Sequence, residues 1–345
     1  TGITRVSKES VFSDLNNLTV ITTTSDQYAD CFGFTEEEVF KTLDQFGMSD
    51  KKQIVKQWYD GFSFGPFKDI YNPWSITNYL KEKKLRPYWA STSSNGLISK
   101  LLQSASANMK TQLEELLNGK QIIVNFDEQI IFGQLEQDEN AVWSLLVASG
   151  YLKVEEIEYK GMTLEPWYHL AITNLETISM FSNMFKGWFA TASANYNEFI
   201  KAMLGGNVKA MNLYMNDIAL ATFSSFDVGK HFSQRSQPER FYHGFVLGLL
   251  VEVRDLYEIR SNRESGYGRY DVMLIPKTKK NDGVILEFKV KESEEKTLEE
   301  TVQMALAQIE SKKYDAELLE LGVSKEHIRH YGFAFEGKKV LIGQK

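Results

Sequence analysis

The stretch Gly266-Tyr267-Gly268-Arg269-Tyr270-Asp271, followed by the apolar run 272–275, a polar connection and Glu287-Phe288-Lys289, decides how the last third of this chain folds. β-Formers at 271–276 and 284–290 flank a Lys/Asn/Asp segment, 277–283, that ends in glycine, which predicts two antiparallel strands joined by a loop. Side chains alternate along a strand, so Val284, Leu286, Phe288 and Val290 share one face, and Ile285, Glu287, Lys289 and Lys291 the other. Pairing symmetric about the loop sets Asp271 opposite residues 287–289. Cross-strand and diagonal neighbours lie roughly 5 to 8 Å apart, close enough for two carboxylates to converge on one cation. Without a cation, two such charges about 5 Å apart at an effective dielectric near 20 repel by roughly 3 kcal/mol. Carboxylate oxygens are hard ligands suited to Mg²⁺ or Mn²⁺, and a neighbouring ammonium can orient water or hold a phosphate oxygen. These parts suit phosphodiester hydrolysis. The spacing alone equally fits an ordinary hairpin whose Glu287 and Lys289 are solvated surface charges.

The pattern resembles the PD-(D/E)XK nuclease superfamily, in the branch that ends many prokaryotic AAA-ATPase-like proteins. Asp271 matches the first motif acid and Glu287-Phe288-Lys289 the (D/E)-x-K, while Tyr270 stands where a proline is usual. Ala305-Leu306-Ala307-Gln308-Ile309 with Lys313-Tyr314 is similar to the branch's helix bearing a Gln and a Tyr, and Tyr331-Gly332-Phe333-Ala334-Phe335 to its closing strand. Upstream, Pro238-Glu239-Arg240-Phe241-Tyr242-His243-Gly244-Phe245 resembles the helix that opens the fold. The resemblance implies a restriction-endonuclease-like α/β domain with a central mixed sheet. It implies Asp271, Glu287 and the Phe288 backbone carbonyl as ligands of Mg²⁺ or Mn²⁺, with Glu239 as a further ligand or a group behind the ligands. Lys289 would position water and stabilise developing charge, with Gln308 in support. Arg269, Gly268 and Tyr314 are the expected substrate contacts, and the two glycines would permit a tight turn and close approach of backbone to ligand.

With 345 residues, 43% apolar and 13% aromatic, the chain is long enough for two or three buried cores. Its one cysteine, Cys31, cannot close an intrachain disulfide and is expected to be buried. No signal-like or membrane-length apolar run occurs, so the expected location is the cytoplasm and no membrane partner is expected. A net charge of −7 gives no global attraction to a polyanion. The window holding Arg254, Arg260, Arg263, Arg269, Lys277, Lys279, Lys280, Lys289 and Lys291 nevertheless allows local, salt-sensitive phosphate contact.

Thr1-Gly2-Ile3-Thr4-Arg5 and Asn16-Asn17-Leu18 look like the middle of a domain and resemble the sensor-strand region of the AAA-ATPase-like family. Thr35 with Glu38 three residues on has capping-box spacing. No G-x-x-x-x-G-K-[ST] occurs, and the Gly-Lys pairs at 119, 229 and 337 lack that context. The expectation is a cut or naturally shortened member of the family, with no ATP hydrolysis by these residues alone. Trp58-Tyr59-Asp60-Gly61-Phe62, Phe64-Gly65 and Tyr71-Asn72-Pro73-Trp74 resemble the family's lid. Core packing suits these aromatics better than base stacking, because Gly and Pro punctuate tight turns and residues 75–80 continue as an amphipathic helix.

Residues 140–149 read as a helix closed by Gly150, with a hairpin turning at Lys160-Gly161 behind it, a winged-helix-like arrangement. A recognition helix needs Arg, Lys, Asn or Gln facing the groove, whereas this one offers Glu136, Asp138 and Glu139 at its start and then mostly apolar side chains, which favours a scaffold or protein-contact role. Helices follow at 180–189, 196–204 and 208–221. His327 and His330 share a helical face by spacing, with no third ligand to complete a zinc site.

The expected architecture is therefore mixed α/β: a remnant and lid of an AAA-ATPase-like domain at 1–100, a helical and winged-helix-like region at 101–222, and a nuclease-like domain at 223–345. The expected activity is metal-dependent hydrolysis of nucleic acid, with DNA the expected substrate. The alternative is a nuclease fold that cleaves nothing and serves as an interaction or regulatory module of an ATPase-like protein.

Overall fold

The computed structural model describes residues 6–7, 21–92, 95–128, 130–131, 135, 138–190, 193–223, 236–292, 295 and 297–345. The chain falls into two compact units, 1–184 and 185–345. No helix among the described residues is long and apolar enough to cross a membrane.

In the first unit a two-residue strand β1 (Val6–Ser7) is followed by β2 (Phe34–Thr35), α1 (Glu36–Gln45), α2 (Lys52–Tyr59), β3 (Phe62–Phe64), β4 (Phe67–Tyr71) and α3 (Pro73–Glu82). Thr35 caps α1 through the reciprocal box with Glu38 that their spacing predicts. Asn72 accepts the Trp74 and Ser75 amides to start α3, with Pro73 at its first position, where a missing N–H costs nothing. Tyr59, Tyr71, Tyr79 and Tyr88 pack with Val39, Leu43, Val55 and Ile76 in one core, as expected of the aromatic stretch, although Trp74 remains exposed. Next come α4 (Gly96–Ser104), α5 (Ala107–Leu117), β5 (Ile122–Val124), β6 (Ile130–Ile131), α6 (Glu139–Ala148), the hairpin β7 (Leu152–Lys160) and β8 (Glu165–Ile172), and α7 (Leu175–Trp188), which contains the dividing point. β6 pairs in parallel with β1, and β5 extends the β7–β8 hairpin. Cys31 is exposed rather than buried. It sits in the run of turns and bends just before β2, at 26–33, where the described backbone forms no helix or strand to enclose it.

The second unit continues with α8 (Ser193–Gly205), α9 (Val208–Phe223), α10 (Ser236–Glu252), β9 (Tyr257–Ser265), β10 (Gly268–Pro276), β11 (Gly283–Val290), α11 (Leu298–Lys312), α12 (Asp315–Glu320), β12 (Ile328–Glu336) and β13 (Lys339–Gln344). Its sheet runs in the order β13-β12-β11-β10-β9 and is mixed: β11 and β12 are parallel, connected through α11, and the other pairs are antiparallel. The expected mixed α/β class with a central mixed sheet is the one observed. At the centre of the sheet, Val284, Ile285 and Leu286 are all buried, the continuous apolar run of a strand covered on both faces. On one face Met273, Ile285 and Ala334 meet Val302, Leu306 and Ile309 of α11 and Leu318 of α12. On the other, Phe288 stacks on Phe333 and Phe335, with ring centroids 4.6 and 5.9 Å apart, and meets Tyr242 and Phe245 of α10. The alternation read from β11 thus sends Phe288 towards α10, and Ile285, Glu287 and Lys289 towards α11.

His327 and His330 do not share a helical face. His327 ends a single 3₁₀ turn and His330 lies in β12, because from Ile328 onward the chain pairs with β11, His330 standing opposite Ile285. The first pairs with Asp282 at 2.7 Å and the second with Asp315 at 2.6 Å.

Candidate active site

β10 and β11 form a regular ladder from Leu274↔Val284 to Val272↔Leu286 and then stop exchanging backbone hydrogen bonds. At the next step, side chains replace the ladder. The Phe288 amide donates to Asp271 Oδ2 at 2.8 Å. Asp271 is therefore held by an amide of the other strand, and the two carboxylates lie close enough for the charge on Asp271 to act on Glu287. On the far side of β10, the step between Tyr270↔Arg263 and Val272↔Ser261 faces Asn262, whose φ of +49° breaks the regularity of β9. The Tyr242 hydroxyl of α10 donates to the Asp271 carbonyl at 2.8 Å, fixing the strand where it leaves the ladder.

Helix α11 supplies the third wall. Thr297 caps it by accepting the Glu300 amide, and its apolar residues Val302, Leu306 and Ile309 turn Gln308 towards β11. Gln308 Oε1 accepts from Lys289 Nζ at 2.7 Å, while its Nε2 donates to Glu287 Oε1 and to the Tyr314 hydroxyl, the latter at 3.2 Å. Tyr314 donates onward to the Arg269 carbonyl at 2.6 Å. One chain of hydrogen bonds thus runs from Lys289 through Gln308 and Tyr314 into β10, and it fixes which end of the Gln308 amide faces the lysine.

The electrostatics follow from burial. Glu287 is only 3% exposed, and desolvation, with the neighbouring Asp271 charge second, pushes its carboxyl up to about 8. Asp271 is raised to about 6, again by burial, against the opposing influence of the Phe288 amide and the Lys289 and Arg269 charges. Glu287 Oε2 is buried and has no hydrogen-bond partner. A buried carboxylate oxygen with no donor, beside a second raised acid, is the environment a hard divalent cation stabilises. The donor set therefore fits Mg²⁺ or Mn²⁺.

The chain brings Asp271, Glu287, Lys289, Gln308 and Tyr314 together. Gly268 and Arg269 begin β10 beside them, and Arg269 Nε donates back to the Asn262 carbonyl. Phe288 contributes its amide to Asp271, and its ring belongs to the opposite face of the sheet. Glu239 lies in α10, with its side chain outside the described residues. Tyr242 escaped the sequence reading. It is one aromatic among several where the helix turns apolar, which reads as core.

A second group of acids, in the first unit, also escaped it. Carboxylate oxygens of Glu36, Asp60 and Asp69 lie within 4.8 Å of one another. Lys56 Nζ sits among them, 3.3 Å from Asp60, 3.2 Å from Asp69 and in contact with Glu36, so an ammonium already balances their charge. These residues come from α1, α2, its C-cap and β4, and only the i,i+4 pair of Lys56 and Asp60 has a local spacing.

Residues 237–345 match the PD-(D/E)XK nuclease superfamily, so the second unit carries a domain of that superfamily. An uncharacterised protein encoded in the vnfD 5′ region of Azotobacter chroococcum mcd 1 is 27% identical over 175 residues, which cover 51% of this chain and 31% of that protein. The chain thus spans about a third of the length of this curated relative. No solved structure matches the chain at a significant level.

Proposed function

We propose that the second unit hydrolyses phosphodiester bonds of nucleic acid, with DNA as substrate, in a reaction that requires Mg²⁺ or Mn²⁺. The observation that carries this reading is the joint placement of Asp271, held by the Phe288 amide of the neighbouring strand, and Glu287, with Lys289 tied to Glu287 through Gln308. Asp271 and Glu287 would hold the cation, with the Phe288 carbonyl and Glu239 as further ligands. A divalent cation in that place supplies Lewis acidity and positive charge. Lys289 has three N–H donors, of which Gln308 takes one. The others are suited to orienting an attacking water and holding a non-bridging phosphate oxygen, where an ammonium opposes the charge that gathers on the phosphoryl group. Gln308 restricts the lysine to that task. Arg269, at the exposed start of β10, would contact the substrate backbone electrostatically. In longer proteins of this kind, the activity would be coupled to an N-terminal ATPase, a reading that rests on the resemblance of residues 1–100 to an ATPase lid.

The test is cleavage of supercoiled and linear DNA by the whole chain with Mg²⁺ or Mn²⁺, compared with Asp271→Ala and Lys289→Ala. The expected outcome is metal-dependent cutting by the wild type, reduced by about 10²-fold or more in each variant. Equal cutting by all three would identify a contaminant. No cutting by the wild type with either metal would leave a nuclease fold that serves in binding alone.

A further inference from the structure

The β9–β10 hairpin turns in two residues, Gly266 and Tyr267, between the paired Ser265 and Gly268. Gly266 takes φ +60° at the first central position, the arrangement of a type II′ connection. A Cβ there would lie 2.1 Å from the Lys312 carbonyl oxygen, so the turn is pressed against the C-terminus of α11. The Tyr267 amide donates to that same carbonyl at 2.7 Å, satisfying a group the helix leaves without an internal partner. The backbone of Tyr267 is thus fixed, yet its side chain is not buried: the residue is 71% exposed, and Lys313 Nζ stands 5.3 Å from the ring centroid. Lys313 is itself fixed as the left-handed cap of α11.

An exposed aromatic on a rigid turn, with a cation over its ring, differs from an aromatic that has merely failed to find a core. It immediately precedes the strand that carries Asp271, four residues on, roughly 13 Å at the usual strand rise. Tyr314, next to Lys313, is part of the hydrogen-bond chain to Lys289. Lys312 and Arg269 are exposed on the same stretch. Bases stack on aromatic rings with little regard to sequence, and nearby cations hold the connecting phosphates. A base within a duplex has both faces covered by its neighbours. An unpaired one does not.

We infer that Tyr267, with Lys313 beside it, forms a stacking platform for an unpaired nucleotide, so that the site takes single-stranded nucleic acid or single-stranded ends in preference to blunt duplex. This takes its substrate class from the nuclease reading above. The overall negative charge of the chain is consistent with it, because stacking supplies affinity that a general electrostatic field does not.

The experiment measures binding of a fluorescein-labelled single-stranded DNA oligonucleotide and of the blunt duplex made from it, by anisotropy in EDTA, for the wild type, Tyr267→Ala and Tyr267→Phe. Cleavage of the single strand is followed in parallel with Mn²⁺. The wild type should bind the single strand more tightly than the duplex. Tyr267→Ala should lose about tenfold or more in single-strand affinity with duplex binding unchanged, and Tyr267→Phe, which keeps the ring, should retain it. Wild-type single-strand affinity in Tyr267→Ala, equal losses on both substrates, or no preference for the single strand in the wild type overturns the platform. Cleavage abolished by Asp271→Ala but binding indifferent to Tyr267 sinks the platform and spares the nuclease. Tyr267-dependent binding without cleavage does the reverse.

Discussion

At the scale of single residues, the site is governed by two acids that burial makes reluctant to ionise. Glu287, raised from 4.5 to about 8, favours the protonated form in the folded state. A carboxyl with a raised folded pKa contributes stability that is fully present below its unfolded value and lost as pH rises through the folded one. The metal-free protein should therefore lose stability at this position between about pH 4.5 and about pH 8, and Asp271 adds a smaller loss in the same sense up to about pH 6. A divalent cation held as proposed would bind the ionised acids, so the rise in Tm caused by Mn²⁺ should be larger at pH 8.5 than at pH 6. Thermal melts with and without Mn²⁺ across that range test this, and Glu287→Gln should flatten both trends. Gln308 orients Lys289 and Glu287 without being proposed as a ligand. Its replacement by alanine should reduce cleavage by about 10- to 100-fold, the usual cost of removing a group that orients metal-site residues, while the fold survives. Unchanged cleavage by Gln308→Ala would mean that Lys289 holds its position unaided.

At the scale of elements, the β10–β11 pair was legible because β-formers bracket a polar connection that ends in Gly283, and the alternation of β11 correctly divided Phe288 from Glu287 and Lys289. The opening of the ladder beyond Val272↔Leu286 was not legible, since it depends on side chains replacing backbone partners. Tyr242 stayed hidden for a similar reason: its hydroxyl acts on a backbone carbonyl contributed by a distant strand. The histidines at 327 and 330 fit helical spacing, but strand pairing with β11 and β13 overrode it. The seat of the β9–β10 turn on α11 gives a further prediction. Gly266→Ala would place a methyl group against the Lys312 carbonyl at a positive φ, which should cost about 1 to 3 kcal/mol and lower Tm. It should also impair cleavage, because displacing the turn disturbs the Tyr314 bond to the Arg269 carbonyl. A variant as stable and active as the wild type would show that the turn has room to move.

At the scale of the molecule, each of the two units has its own core, one built on the tyrosines around Tyr59 and the other on the sheet face beneath α11. Calorimetry of the whole chain should accordingly resolve two transitions, and Mn²⁺ should raise only the one belonging to residues 185–345. A single transition that moves with metal would show that the units melt as one. Composition indicated enough apolar residue for more than one core, but in the grouping of Glu36, Asp60 and Asp69 around Lys56 only the Lys56–Asp60 pair has a local spacing, and Glu36 and Asp69 join it from other elements.

The connection between β10 and β11 exposes Lys277, Thr278, Lys279 and Lys280. A single cut by trypsin after Lys279 would leave Asp271 on one polypeptide and Glu287, Lys289 and Gln308 on the other. Neither piece would then own the complete set of groups proposed to react, so on that proposal recovered turnover on mixing separately purified halves would report their reassociation directly, as a split reporter does.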